Sequence, residues 1–307
     1  MAKELDFEIK QRLQSRTGVY YRNIQRLGAG GNSLVYLVLA VNKEYRGSLF
    51  ALKVFTRISD EERLQRFQRE AEFLRNCDHP AVMRVYDDGV YSIREENETS
   101  EYPFVVAEYL PKTLQDIMRG TMTTAERVSL TLQLLSALQY LDQHNPSVVH
   151  RDIKPQNIFV KGRSGVLGDF GLMRFLDAVD DEDREVFKES VGPGMPRYYR
   201  SPDLVAYARQ EAPLTTKSDI FQLGLVVAEM FTGRNPLKPT KDLLSDIELE
   251  PLRQIPGALR EGIRANIERM LTMDPAGRPA AADLIDYWEG LFQEVVTQCH
   301  QLDGRVF

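Results

Sequence analysis

Cysteine is nearly absent. Cys77 and Cys299 are the only two among 307 residues, too few by themselves for a disulfide framework or a zinc site. That usage suits a reducing compartment. Long hydrophobic runs are missing as well: the longest apolar-rich stretch, Phe221–Phe231, falls far short of the roughly 20 residues that cross a bilayer. The N-terminal MAKELDFEIKQRLQS is charged throughout and lacks the apolar core of a signal peptide. Positive charge is not in excess, since 39 Lys and Arg stand against 45 Asp and Glu for a net charge of −6. Nucleic-acid backbones are therefore not an expected partner. No internal repeat, low-complexity tract or Gly/Ser linker interrupts the chain. These absences exclude disulfide-stapled, fibrous and repeat architectures, and they predict a cytoplasmic protein with no membrane span.

What is present suits a globular chain with a sizeable core: 43% hydrophobic and 27% charged residues. The length fits two domains or one two-lobed unit. Residues 1–18 read as an N-terminal helical extension, with Glu4–Leu13 packing on the following lobe or binding a regulatory partner. Short β-branched and aromatic runs follow at Tyr20–Leu27, Ser33–Val41 and Ser48–Phe55. Ser59-Asp60-Glu61-Glu62 then opens a helix that runs to about Asn76, its first turn acidic as the helix dipole favours. Ala81–Tyr91 and Pro103–Tyr109 read as two further strands around a polar Arg94–Glu101 hairpin loop. After Leu110-Pro111 the pattern turns helical at Thr124–His144, Ser218–Phe231, Ala258–Leu271 and Ala280–Phe292. The boundaries read as a small lobe over 19–108, a hinge at 109–113, a large lobe over 114–293 and a tail over 294–307.

Four short segments carry chemistry-bearing side chains. Leu27-Gly28-Ala29-Gly30-Gly31-Asn32-Ser33-Leu34-Val35 is a glycine-rich turn between strands. Glycines let backbone N–H groups come close to phosphate oxygens, although such a turn alone is often only a hairpin. Phe50-Ala51-Leu52-Lys53 places a lysine on an apolar strand, where alternation sends it to the opposite face from Leu52. His150-Arg151-Asp152-Ile153-Lys154-Pro155-Gln156-Asn157 groups an acid, a base and an amide in one loop. Asp169-Phe170-Gly171 follows seventeen residues after Asp152.

In this order and spacing the segments resemble the signature set of the eukaryotic-type (Hanks-type) serine/threonine protein kinase catalytic domain, from about Tyr20 to Phe292. The resemblance implies an α+β, two-lobed protein-kinase-like fold. Its small lobe is an antiparallel β-sheet with one main helix, and its larger lobe is mostly α-helical. It implies transfer of the γ-phosphoryl group of ATP to Ser or Thr hydroxyls of protein substrates, with autophosphorylation, and Mg2+ or alternatively Mn2+ as the metal. Asp152 takes the place of the catalytic base, and Lys154 that of the lysine on the γ-phosphate. Lys53 takes the place of the α/β-phosphate ligand, paired with a helix carboxylate. Glu70 is that carboxylate; Glu72, the rival, sits two residues on and faces elsewhere. Asn157 and Asp169 are the implied metal ligands, and Phe170 packs against the Glu70 helix. Gly28, Gly30 and Gly31 cover the phosphates. Val35, Ala51, Glu108, Leu110 and Phe159 surround the nucleotide base, with Ala107 at the gatekeeper position behind it.

Scaffold matches include Ser201-Pro202-Asp203, Arg278 as the ion-pair partner of Asp203, and Asp219, expected to anchor the His150–Arg151 backbone. There are departures. Ser33 replaces the third glycine, Gly168 precedes Asp169, Asp203 is one methylene shorter than the usual glutamate, and Pro196 stands where many relatives have threonine. Ser190, with Arg151 as its partner, is the candidate regulatory phosphorylation site; the acidic run Asp180-Asp181-Glu182-Asp183 is the alternative source of negative charge. The rival functions are a pseudokinase-type nucleotide-binding scaffold and a small-molecule phosphotransferase.

Overall fold

The computed structural model describes residues 9, 12–30, 32–95, 98–177, 199–237, 247–252, 255 and 257–302. They divide into two units. The first contains the described residues up to Asp78 together with Met83–Leu110; the second contains His79–Val82 and the described residues from Pro111 onward.

In the first unit, strict alternation of side chains decides which face of the sheet is buried. Strands β1 (Leu13–Gln14), β2 (Tyr20–Ala29), β3 (Ser33–Ala40), β4 (Leu49–Phe55), β5 (Val85–Glu95) and β6 (Glu98–Glu108) form one sheet in the order β1-β2-β3-β4-β6-β5. Phe50, Leu52 and Val54 enter a core with Tyr36, Val38, Tyr102, Phe104 and Val106. Ala51 and Lys53 therefore lie on the other face. There Lys53 pairs with Val35, and Ala51 sits between Leu37 and Ala107.

Helix α1 (Glu61–Asn76) starts where Asp60 accepts the Arg63 N–H at 3.1 Å, with Glu61 and Glu62 in the first turn. Its last turn is tied to the sheet: Arg75 donates to Asp88 at 2.8 Å. Asp88 also pairs with Arg16 at 2.6 Å, and its carbonyl accepts the Arg16 N–H at 2.7 Å. The segment after β1 thus reaches β5 at the opposite end of the strand order. Gly89 marks this approach, since a Cβ there would lie 2.5 Å from the Phe104 ring and 3.1 Å from the Gln14 carbonyl oxygen.

Three boundaries differ from the sequence reading. The expected N-terminal helix does not reach Thr17-Gly18: Leu13–Gln14 is a strand paired with Tyr20 and Tyr21. Leu13 is buried with Ile9 in the sheet core, so Leu13 packs on the small unit as strand and not as helix. The Arg94–Glu101 segment is not a long loop, because β5 runs to Glu95 and β6 starts at Glu98, pairing through Glu95 and Glu98. Polar composition misled there, because strand pairing outweighs residue type. The strand expected from Ala81 begins at Val85; Val82 instead bridges Leu167 in the second unit.

The second unit is built on helices α2 (Leu114–Met118), α3 (Thr124–Gln143), α4 (Pro202–Ala208), α5 (Lys217–Thr232), α6 (Gly257–Met270) and α7 (Ala281–Leu302). Reciprocal Thr–acid capping starts α2 at Thr113/Asp116 and α3 at Thr123/Glu126. Gly233, at φ 77°, ends α5 in the left-handed conformation. A Cβ on Gly224 would lie 2.9 Å from the Met270 Cβ, so glycine is required where α5 meets α6. Helix α7 continues to Leu302 beyond the expected stop at Phe292, so residues 294–302 belong to it. Two small antiparallel pairs complete the unit: β7 (Val148–Val149) with β10 (Arg174–Phe175), and β8 (Ile158–Lys161) with β9 (Ser164–Leu167). No helix among the described residues is long and apolar enough to cross a membrane.

Candidate active site

In the first unit, Lys53 and Glu70 are brought together. The Lys53 Nζ donates to both Glu70 carboxylate oxygens at 2.9 and 3.1 Å. Glu70 is buried, whereas the lysine side chain keeps a quarter of its surface exposed. The pair thus has a solvated positive end on the Val35/Ala51 face of the sheet. Glu72 points elsewhere and is exposed.

Gly28 and Gly30 flank the β2–β3 turn, where Gly30 N–H donates to the Ser33 carbonyl at 2.8 Å. A Cβ at Gly28 would meet nothing within 4 Å, and one at Gly30 would meet only the Ser33 carbonyl oxygen at 3.8 Å. The fold itself does not need glycine at either position. Asn32, next to the turn, accepts from Arg63 of α1 at 2.8 Å. Ala107 and Leu110 are buried, and the Glu108 N–H donates to the Arg84 carbonyl at 3.0 Å.

In the second unit, one loop gathers the remaining candidates. Asp219, near the start of α5, accepts the His150 and Arg151 N–H groups at 2.7 and 2.9 Å. Burial raises the Asp219 carboxyl to about 7, against the pull of those two bonds. The bonds hold Arg151 at φ 68°, a left-handed conformation that a long side chain seldom adopts. Asp152 follows directly. Its carboxylate accepts from Lys154 Nζ at 2.7 and 2.9 Å and from Asn157 Nδ2 at 2.7 Å. Burial raises the Asp152 pKa, the Lys154 charge pulls it back, and the nearby Asp169 charge adds to the rise.

Asn157 also donates to the Asp152 carbonyl at 2.9 Å, so Nδ2 is fully engaged. The Asn157 carbonyl accepts the Gly168 N–H at 2.9 Å, which sets Asp169 beside the loop. Asp169 is itself left-handed, at φ 57°. Phe170 is fully buried and meets the His150 ring edge-on at 4.5 Å. His150 Nε2 lies 3.1 Å from the Gly168 carbonyl, and burial depresses its pKa to about 4, so the ring is neutral. Phe159, on β8, is half-buried and pairs with Val166.

This arrangement holds a buried carboxylate ready to accept a proton, with an ammonium and an amide beside it and a second carboxylate close by. The protein kinase domain family matches residues 21–288, most of the chain. The chain belongs to the protein kinase family. It is 30% identical over 260 residues to the serine/threonine-protein kinase PknB of Mycobacterium tuberculosis, covering 82% of this chain and 39% of that one. It is 30% identical over 253 residues to a probable serine/threonine-protein kinase PknB of Bifidobacterium longum (78% and 35%). It is 29% identical over 273 residues to serine/threonine-protein kinase 36 of Mus musculus (87% and 19%). The kinase chain therefore spans well under half the length of these curated relatives.

Two features of this kinase domain were not legible as site elements in the sequence. The first is Gln222 on α5, wholly buried. Its Oε1 accepts the Ile153 N–H at 3.1 Å, and its Nε2 donates to the Arg151 carbonyl at 3.1 Å and the Tyr199 carbonyl at 2.9 Å. The available signal was a carboxamide three residues after Asp219 on a helix otherwise apolar nearly all round. The second is the state of Arg151, whose guanidinium donates to the Leu172 and Met173 carbonyls. Arg278 and Asp203 meet as expected, at 3.1 Å and almost wholly buried. Gly31, Ser190, Pro196 and the acidic run at 180–183 lie outside the described residues.

Proposed function

We propose that this protein kinase domain is an active, ATP- and Mg2+-dependent serine/threonine kinase acting on protein hydroxyls, its own among them. The observation that carries this reading is the Asp152 carboxylate, buried and held by both Lys154 and Asn157 at 2.7 Å. A retained fold without chemistry would not need that triad intact. Asp152 accepts the hydroxyl proton as the phosphoryl group departs, and the Lys154 ammonium balances charge beside it. A lysine at that position matches the serine/threonine form of the loop. Lys53, fixed by Glu70, orients the α- and β-phosphates, and the open turn at Gly28 and Gly30 leaves room for backbone N–H groups to reach phosphate oxygens.

The residues present suit magnesium. Asn157 commits its Nδ2 to Asp152, which leaves its amide oxygen as a ligand, and Asp169 adds a carboxylate: hard oxygen donors of the kind Mg2+ takes alongside phosphate oxygens. When bound, the ion supplies charge neutralisation on the phosphates. Val35, Ala51, Glu108, Leu110 and Phe159 are the residues proposed to surround the base. Transfer of label from γ-labelled ATP to a generic protein substrate, with and without a magnesium chelator, tests the reading. Magnesium-dependent phosphoserine or phosphothreonine supports it, and nucleotide binding without transfer overturns it.

A further inference from the structure

Within the second unit a cavity of about 770 Å3 opens beside the Asp152 loop, with Pro155, Tyr199, Met118, Arg127, Glu229 and Phe231 among its lining residues. Among the described residues its charged groups are paired, with one exception. Glu229 accepts the Tyr199 hydroxyl. Arg234 faces Glu250 at 3.5 Å, and Arg119 faces Asp116 at 3.5 Å. Arg127, on the first turn of α3, lies over the Phe231 ring at 5.7 Å, and its side chain makes no hydrogen bond or ion pair among the described residues. Its Nε is buried without an acceptor.

A guanidinium whose Nε is buried without an acceptor is unfavourable, because nothing replaces the hydration lost at that atom. The Phe231 face offsets part of that cost but leaves the planar N–H fork undirected. We propose that Arg127 is the anion-binding subsite of a protein-substrate groove, receiving a carboxylate or phosphate side chain at a fixed distance from the acceptor serine or threonine. Pro155, three residues after Asp152, lines the cavity, so a peptide whose hydroxyl reaches the base can extend into it. The Phe231 ring covers one face of the guanidinium, which limits the access of water from that side. The fork suits both carboxylate and phosphate bidentately. The inference rests on the kinase reading above.

The test uses fluorescein-labelled peptides in which one position after another relative to a central serine is Glu, phosphoserine or Gln. Anisotropy reads their binding, and phosphate transfer is measured in parallel. The wild-type protein is expected to favour an anion over Gln at one position by about tenfold or more, the order of one charge-assisted bond. The Glu and phosphoserine arms tell which anion is taken. In Arg127→Met, which keeps an apolar stem over Phe231, the ratio is expected to fall to about one, and Arg127→Lys to restore part of it. A preference that is equal in wild type and Arg127→Met overturns the subsite, as does the absence of any anion preference in binding. Selective binding without phosphate transfer leaves the subsite standing and overturns the kinase reading instead.

Discussion

Gln222 brackets Asp152 without touching its carboxylate: its carboxamide accepts the Ile153 N–H and donates to the Arg151 carbonyl, both at 3.1 Å. A third bond to the Tyr199 carbonyl ties that clamp to the segment leading into α4. Gln222 is thus a positioning residue. Gln222→Met keeps the volume and loses all three bonds. It is expected to lower kcat by about 10- to 100-fold while leaving the affinity for ATP near wild type, since misplacement of a reacting group acts on turnover. Steady-state kinetics alongside nucleotide-binding calorimetry measures this split. A raised KM for ATP at unchanged kcat would show that the clamp serves the nucleotide and not the base.

The glycine turn, Lys53, the Asp152 loop and Asp169 could be located in the sequence because each depends on residue type at short spacing. The Lys53–Glu70 pair was legible because the resemblance implies a helix carboxylate as the partner of Lys53, and helix periodicity then turns Glu72 to another face. Gln222 was hidden because its partners lie about 70 positions away in the chain, and no local pattern encodes that distance. Leu13–Gln14 was misread because a charged, helix-forming stretch gives no hint that two of its residues complete a sheet. Tertiary pairing with Tyr20 and Tyr21 overrides the propensity.

The pH dependence follows from the Asp152 environment. The base works ionised, and burial raises its pKa. The acid limb of kcat is therefore expected at higher pH than an ordinary carboxylate would give, with activity lost as pH falls through it. Lys154 holds that pKa down, so Lys154→Ala should move the limb to higher pH still. A pH–rate profile of both proteins checks the direction; a limb shifted to lower pH in the variant contradicts it.

Asp203 reaches Arg278 through Oδ1 alone, and its Oδ2 is buried without a partner among the described residues. Arg278 is otherwise held by the Lys217, Thr272 and Met273 carbonyls. Asp203→Ala leaves the guanidinium buried without its counter-charge and is expected to destabilise the domain by about 3–5 kcal/mol. Asp203→Glu lengthens the arm by one methylene and is expected to melt at or above the wild-type temperature. Denaturant and thermal unfolding read both. Equal stability of wild type and Asp203→Ala would remove the pair from the account.

Ala107 is buried opposite Ala51, on the sheet face that carries Lys53. Two methyl groups there leave space behind the proposed adenine site. ATP analogues enlarged at N6 are expected to serve as phosphoryl donors for the wild type, and Ala107→Met to exclude them while still using ATP. Equal discrimination by both proteins would place the base elsewhere.

The central claim is that Asp152 is the base of an operating phosphotransferase. Single-turnover transfer by Asp152→Ala, with nucleotide affinity measured on the same preparation, tests it most directly. The account predicts a rate lower by several orders of magnitude with ATP binding nearly intact, because the carboxylate acts on the substrate hydroxyl and not on the nucleotide. Transfer at the wild-type rate in Asp152→Ala would contradict it.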